Sequence, residues 1–187
     1  MPAKIFFTAD LHLGHKNVIK YCNRPFKTAE EMNETLIDNW NNAVSDRDEI
    51  YVIGDFAFMG TKQTELALQR LKGKKYLVRG NHDKSLNETM ALKYFQWIKD
   101  YHLLKVQERA SQVQKIVLFH YALRTWDSAH YGAWSLYGHS HGNLKDDTES
   151  LSLDVGVDCH NFRPISYDEV KAIMSKKNWK PAGHHDY

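Results

Sequence analysis

A nearly unbroken apolar run over 4–9, Lys-Ile-Phe-Phe-Thr-Ala, is the pattern of a strand buried on both faces. A polar stretch follows from Asp10. At Thr28-Ala29-Glu30-Glu31 the spacing reads as a capping box opening a helix, and Met32, Leu36, Ile37 and Trp40 give that helix one apolar side. Asp46-Arg47-Asp48 breaks it, and 49–53 forms a second buried strand that closes on Gly54-Asp55. Leu66, Leu68 and Leu71 predict a further helix stopped by Gly73. A third strand over 76–78 runs into Gly80-Asn81-His82-Asp83. This β-α-β-α-β order predicts a parallel sheet with crossover helices.

Beyond it the pattern predicts a helix over 87–99 and a hairpin of 103–108 with 115–119 around Ala110-Ser111-Gln112. Strands follow over 135–137 and 151–157. Ser166-Tyr167-Asp168-Glu169 is a second capping box, starting a helix through Val170, Ile173 and Met174. With no repeat, low-complexity segment or linker, the expectation is one domain over 1–187 with a frayed tail at 181–187.

Composition narrows the class. Hydrophobic residues make up 42% of 187, enough for a real core. No run approaches the roughly 18 apolar residues of a membrane span, and no leader pattern opens the chain, so a cytoplasmic location is expected. Cys22 and Cys159 lack metal-type spacing and are read as reduced thiols, a disulfide between them being the less favoured alternative. A net charge of +2, from 25 basic and 23 acidic residues, gives no sign of nucleic-acid binding. The cluster Lys72, Lys74, Lys75 is read as a solvated helix end. Histidine is the informative residue: there are eleven, and neutral imidazole is the commonest metal ligand.

These histidines, with Asp and Asn, recur where strands end. The first strand gives Asp10 and His12, the second Asp55, the third Asn81 and His82; later strands give His120, then His139 and His141. In an open α/β sheet the carboxyl ends of the strands line the ligand crevice. Alternation in extended chain would aim Asp10 with His12, and His139 with His141, the same way. Each feature alone has a bland reading as a turn or cap. Five such segments offering N and O but no sulfur point together to a metal site.

The order Asp10-Leu11-His12, Gly54-Asp55, Gly80-Asn81-His82-Asp83, His120, Gly138-His139-Ser140-His141 resembles the calcineurin-like metallophosphoesterase superfamily. Leu153-Asp154-Val155-Gly156-Val157-Asp158 resembles its last core strand, and the stretch from His15 to Phe26 resembles a small bacterial or phage-type phosphohydrolase branch. The resemblance implies an α/β fold, a four-layer α/β/β/α sandwich of two packed mixed sheets flanked by helices. It implies two divalent ions, Mn²⁺ foremost, with Fe, Zn²⁺ or Ni²⁺ also suited to such ligands. Asp10, His12 and His141 would hold the first ion, Asn81, His120 and His139 the second, and Asp55 would bridge them. Hydroxide held between the ions would attack the phosphate. His82 would protonate the leaving group, its rival reading being a structural histidine. Asp83 would orient His82 or cap a loop.

The implied function is hydrolysis of small phosphodiesters or phosphomonoesters of nucleotide type. The apolar Phe56-Ala57-Phe58-Met59 stands where Ser/Thr protein phosphatases carry Asp and Arg, which argues against that branch. Candidate substrate contacts are Asn81 itself, then His15, Asn17 and Arg24 after the first motif, and Tyr121, Arg124 and Trp126 after His120. Arg24 could instead serve a turn beside Pro25, and Trp126 could simply pack. His102, His130, His160, His184 and His185 are read as structural or exposed. The alternatives are a nuclease on short single strands, whose affinity would fall steeply with salt, and a non-catalytic scaffold of the same fold. The chain could be a monomer or a homodimer.

Overall fold

The computed structural model describes residues 2–109 and 111–180. The chain runs β1 (Ile5–Thr8), α1 (Lys16–Tyr21), α2 (Ala29–Ala43), β2 (Glu49–Ile53), α3 (Thr61–Arg70), β3 (Lys74–Val78), α4 (Glu88–Ala91) and β4 (Phe95–Lys99). It continues through β5 (His102–Arg109), β6 (Gln112–Leu118), β7 (Trp134–Tyr137), β8 (Ser152–Asp154), β9 (Ile165–Ser166) and α5 (Tyr167–Met174). One sheet has the order β4-β3-β2-β1-β9 and the other β5-β6-β7-β8. The first is parallel except for β9. In the second, β5 and β6 form the expected hairpin and β7 and β8 run parallel to β6.

The uninterrupted apolar runs of β1 and β2 serve two cores at once. Phe6, Ile50, Val52 and Leu77 face a core shared with α2 and α3, while Phe7, Tyr51, Ile53 and Val78 face Ile116, Leu118, Trp134 and Leu136 of the other sheet. Adjacent residues in a strand point to opposite faces, so a strand between two dry layers has no polar position to spare. Helix α5 adds Val170 and Met174 to the core between the sheets. The architecture is the expected α/β sandwich of two mixed sheets with flanking helices.

Several local expectations are corrected. The helix anticipated over 87–99 is a single short turn, α4, followed by strand β4. A register shift against β3 puts both Phe95 and Ile98 on the helix-side core although they are three residues apart. That spacing imitates a helix in the sequence. In α3 the buried face is Thr64, Ala67 and Leu68, and Leu66 is exposed. Lys75 is buried in β3, where its Nζ donates to Leu71 O at 2.7 Å and Gly73 O at 3.0 Å, satisfying carbonyls beyond the end of α3. The polar stretch after Asp10 contains a helix, α1, that buries only Val18. The box at α2 is half formed. Thr28 accepts from Glu31 N, but the Glu31 carboxylate takes Lys27 N. The box at Ser166 is complete.

The last core strand is also shorter than expected, ending at Asp154, with 157–159 forming a 3₁₀ turn. The expected frayed tail at 181–187, with His184 and His185, lies outside the described residues. Among the described residues no helix is long and apolar enough to cross a membrane.

Candidate metal centre

The loops leaving β1, β2, β3, β6 and β7 converge at one edge of the sandwich. Alternation is not what aims their side chains. Asp10, His12, Asp55, His139 and His141 have φ of 57°, 51°, 55°, 66° and 48°, so each is in the left-handed region rather than extended. Such a conformation costs on the order of 1 kcal/mol or more per residue outside glycine. Cross-loop backbone bonds hold it: Asp10 N to Gly54 O at 3.0 Å, His12 N to Asp55 O at 2.9 Å, and Gly138 N to His120 O at 3.0 Å. Strained residues of this kind cluster where function fixes the geometry.

Two sets of donor atoms result. Asp10, His12 and His141 bring one ligand atom each within 4.8 Å of one another, and Asp55, His120 and His139 do the same. Asp55 Oδ2 lies between the sets, 3.4 Å from His12 Nε2 and 3.5 Å from His120 Nε2. Asn81 joins the second set, its Oδ1 standing 3.1 Å from His120 Nε2.

Electrostatics gives a test of whether cations fit. His120 Nδ1 is bonded to Ile53 O at 2.9 Å, so that nitrogen carries a proton. Burial opposes charge on His120, but its bonds to Asp55 and to Ile53 O raise it on balance, so without a cation Nε2 holds a proton toward two acceptors, Asn81 Oδ1 and Asp55 Oδ2. His12 Nε2 is buried without any hydrogen-bond partner, and burial depresses His12 far below the ordinary imidazole range, keeping it neutral. Burial also raises the Asp10 carboxyl to about 7 despite the pull of His141 and His120. Burial alone would raise Asp55, yet the hydrogen bond and charge of His120 hold it ionised. Acceptors converging on acceptors in a dry pocket call for positive charge between them. Hard oxygens with imidazoles suit borderline divalent ions.

Close packing leaves no slack around these oxygens. A Cβ at Gly80 would stand 2.2 Å from Asp55 Oδ1, and one at Gly138 would stand 2.6 Å from Asp10 Oδ2. Both positions therefore need glycine for the approach itself.

Behind the first set lies a layer that the sequence reading missed. Asp158 Oδ2 accepts from His141 Nδ1 at 2.7 Å, which leaves Nε2 as that ring's other ligating nitrogen. Asp158 in turn receives Arg24 Nε at 2.8 Å and Nη2 at 2.7 Å. The other Arg24 donors go to Asp10 O, Leu11 O and the Met32 sulfur. Its side chain has no exposure and all five N–H groups are engaged. Arg24 is therefore not a substrate contact, a correction of the expectation from sequence. It is the buried counterion that fixes Asp158. Only the resemblance of 153–158 to a core strand hinted at Asp158, and nothing at Arg24 marked it as buried.

Asp83 accepts from the backbone N–H of Asp55 at 2.8 Å, Phe56 at 2.9 Å and Gly80 at 2.8 Å, tying the second and third loops together. It is a brace for backbone, not the orienter of the His82 ring. His82 itself donates its backbone N–H to Asp55 Oδ1 at 2.9 Å and holds its ring 5.3 Å from that of His12. Tyr121 packs edge-on against His120 and His139, at 5.0 and 4.7 Å. His15 sits 5.3 Å from His12.

Asn17 is exposed in the first turn of α1 and Arg124 is exposed on the segment after β6; no contact ties either to the two sets. Trp126 donates to Ala133 O and packs on the core between the sheets, which is its bland reading. His102 stacks on Tyr51 and packs at a tilt against Trp97, and His160 bonds to Asp154 O, both structural. Both cysteines are free thiols.

The model for calcineurin-like phosphoesterases matches residues 3–159. An uncharacterised protein of Methanocaldococcus jannaschii is 33% identical over 180 residues, covering 92% of each chain. The Gene 66 protein of Mycobacterium phage D29 is 25% identical over 197 residues, covering 92% of this chain and 96% of its own. A solved protein of unknown function from Aquifex aeolicus superposes with a TM-score of 0.70 at 21% identity, covering 91% of this chain and 99% of that one, a likeness of fold. The chain belongs to the calcineurin-like phosphoesterase family, which hydrolyses phosphate esters with divalent metals.

Proposed function

We propose that this chain is a dinuclear phosphoesterase acting on small nucleotide-type monoesters or diesters, with Mn²⁺ as the foremost candidate ion. The observation that carries this reading is the position of Asp55 Oδ2, 3.4 Å from His12 Nε2 of one set and 3.5 Å from His120 Nε2 of the other, the former buried without a hydrogen-bond partner. A carboxylate so placed, shared by both sets of donors, would be open to a cation on either side. Asp10, His12 and His141 would hold one ion, and Asn81, His120 and His139 the other. Ions held there supply Lewis acidity toward phosphate oxygens and toward water.

The chain's own residues supply the rest. Arg24 and Asp158 set the tautomer and angle of His141 before anything binds. Asp83 locks the loops that carry Asp55 and Asn81. His82, anchored by its backbone to the Asp55 carboxylate, is the group that delivers a proton to the departing alkoxide. The test is turnover of phosphomonoesters, linear diesters and cyclic nucleotides with Mn²⁺. His82→Ala is expected to lose about 10²–10⁴-fold in kcat while still binding both ions. Unchanged kcat removes the acid role, and no turnover of any ester by the metal-loaded protein removes the enzyme reading.

A further inference from the structure

Phe58 is 49% exposed although its position is rigidly set. Its backbone N donates to Leu13 O at 2.8 Å, beside a parallel bridge between Leu13 and Ala57. The ring therefore projects from paired backbone at the rim of the metal centre, not from a free loop. Its neighbours are other rings. His15 lies 4.5 Å away at a 34° tilt, and His82 lies 5.6 Å away, edge-on at 82°. His15 and His82 are 6.1 Å apart, each 5.3 Å from His12. Tyr21, 72% exposed, stands 6.4 Å beyond His15.

These rings make a continuous shelf that starts at a metal-ligand position and runs outward past His82. A single exposed aromatic needs no explanation. A row of them leading away from a reaction centre does, because water gains nothing from wetting it. His15 adds a second mark. Its Nδ1 is buried with no hydrogen-bond partner, and it heads α1 without making a side-chain cap. The shelf thus combines the exposed Phe58 and Tyr21 rings with half-buried imidazoles beside the reaction centre, which is how a site receives a planar heteroaromatic group.

We propose that Phe58, with His15 and Tyr21, stacks the leaving group of the substrate, and that the preferred esters are those whose departing alcohol is a nucleoside. The side of the reaction follows from the assignment of His82 as the acid, so this inference rests on the proposed function. The proton donor stands at the leaving oxygen, and what lies beyond it along the shelf is the leaving group.

The test has a binding arm and a turnover arm. In the first, adenosine and ribose are compared by saturation-transfer NMR on the Zn²⁺-loaded protein, which needs no catalysis. Adenosine is expected to bind through its base and ribose not at all. Phe58→Ala is expected to weaken adenosine about 5- to 100-fold and Phe58→Trp to restore it. Equal behaviour of adenosine and ribose, or an affinity indifferent to Phe58→Ala, overturns the shelf. In the second arm, adenosine 5′-phosphate and ribose 5-phosphate, which both depart through a primary ribose 5-oxygen but differ in the base, are hydrolysed with Mn²⁺. The wild type is expected to prefer the former in kcat/KM and Phe58→Ala to lose that preference. A structural disturbance would slow both esters alike. Phe58-dependent adenosine binding with no turnover of these esters or of any linear or cyclic diester rejects the phosphoesterase reading and keeps the shelf; hydrolysis of both without preference does the reverse.

Discussion

On one side of Asp55, His141 is backed by a carboxylate and a guanidinium that have almost no contact with solvent. On the other, His139 stands exposed with the Tyr121 ring against it, and the Nδ1 of His120 rests on a backbone carbonyl. The first half is set by a charged network reaching from the loop after β1 to the turn after β8. The second is set by the ends of β2, β3 and β6 and has no buried carboxylate behind its histidines. The contrast teaches that two ions held there would face different degrees of preorganisation. The first would enter a cage already shaped, while the second would draw its ligands into place. The half that is open is also the half where an incoming ester has room.

The strongest way to break the comparison is to remove what both halves share. Asp55→Ala takes an oxygen from each, and turnover is expected to fall by about 10³-fold or more, with both ions lost on dialysis; metal analysis and ester assays read this. A variant that kept one ion firmly would show that the bridge belongs to one half only. Next in size is Arg24→Ala, which leaves Asp158 buried without its partner. A stability loss of about 3–5 kcal/mol in urea unfolding is expected. Retention of one ion, the one held by Asn81, His120 and His139, would sharpen the division.

Asp158→Asn is a finer cut. It keeps the shape but loses the charge behind His141, and is expected to weaken one of two calorimetric binding steps about 10–100-fold. Weakening of both steps would mean that the halves act as a unit. Smallest is the effect of pH. In the metal-free protein burial raises Asp10 to about 7. Burial opposes protonation of His141, but its bond to Asp158 raises it on balance. Below about pH 7 these groups keep protons that a cation must displace, so binding should release protons and tighten as pH rises from 6 to 8. The gain is about tenfold per unit for each proton displaced, and calorimetry in two buffers of different ionisation enthalpy counts them.

Much of this was legible in the chain. Ligand-type residues directly after β1, β2 and β3 of one sheet and β6 and β7 of the other mark the edge where they meet, because parallel strands within each sheet deliver their ends together. The apolar runs of β1 and β2 show that both their faces are dry. What stayed hidden was whatever depends on backbone angle or on partners far along the chain. Asp10 and His12 look like an alternating pair, and only their positive φ shows that loop strain aims them. Arg24 beside Pro25 looks like a surface turn, and only the fold reveals Asp158 next to it. Phe95 and Ile98 look helical because a register shift against β3 breaks the alternation. Lys75 looks solvated because sequence cannot show that carbonyls at the end of α3 lie within its reach.

The Arg24–Asp158 contact also imposes an order of events on the ribosome. Its partners are separated by 134 residues, which at about 5–20 residues per second is roughly 7–27 s of synthesis. Once β3 is made, a growing chain can pair β1, β2 and β3 while Asp10 still lacks His141 and Arg24 still lacks Asp158. The cage for the first ion cannot close until the turn after β8 has emerged. An ion bound there would therefore be acquired late in biogenesis, from those the finished protein meets rather than those present when its first strands appear.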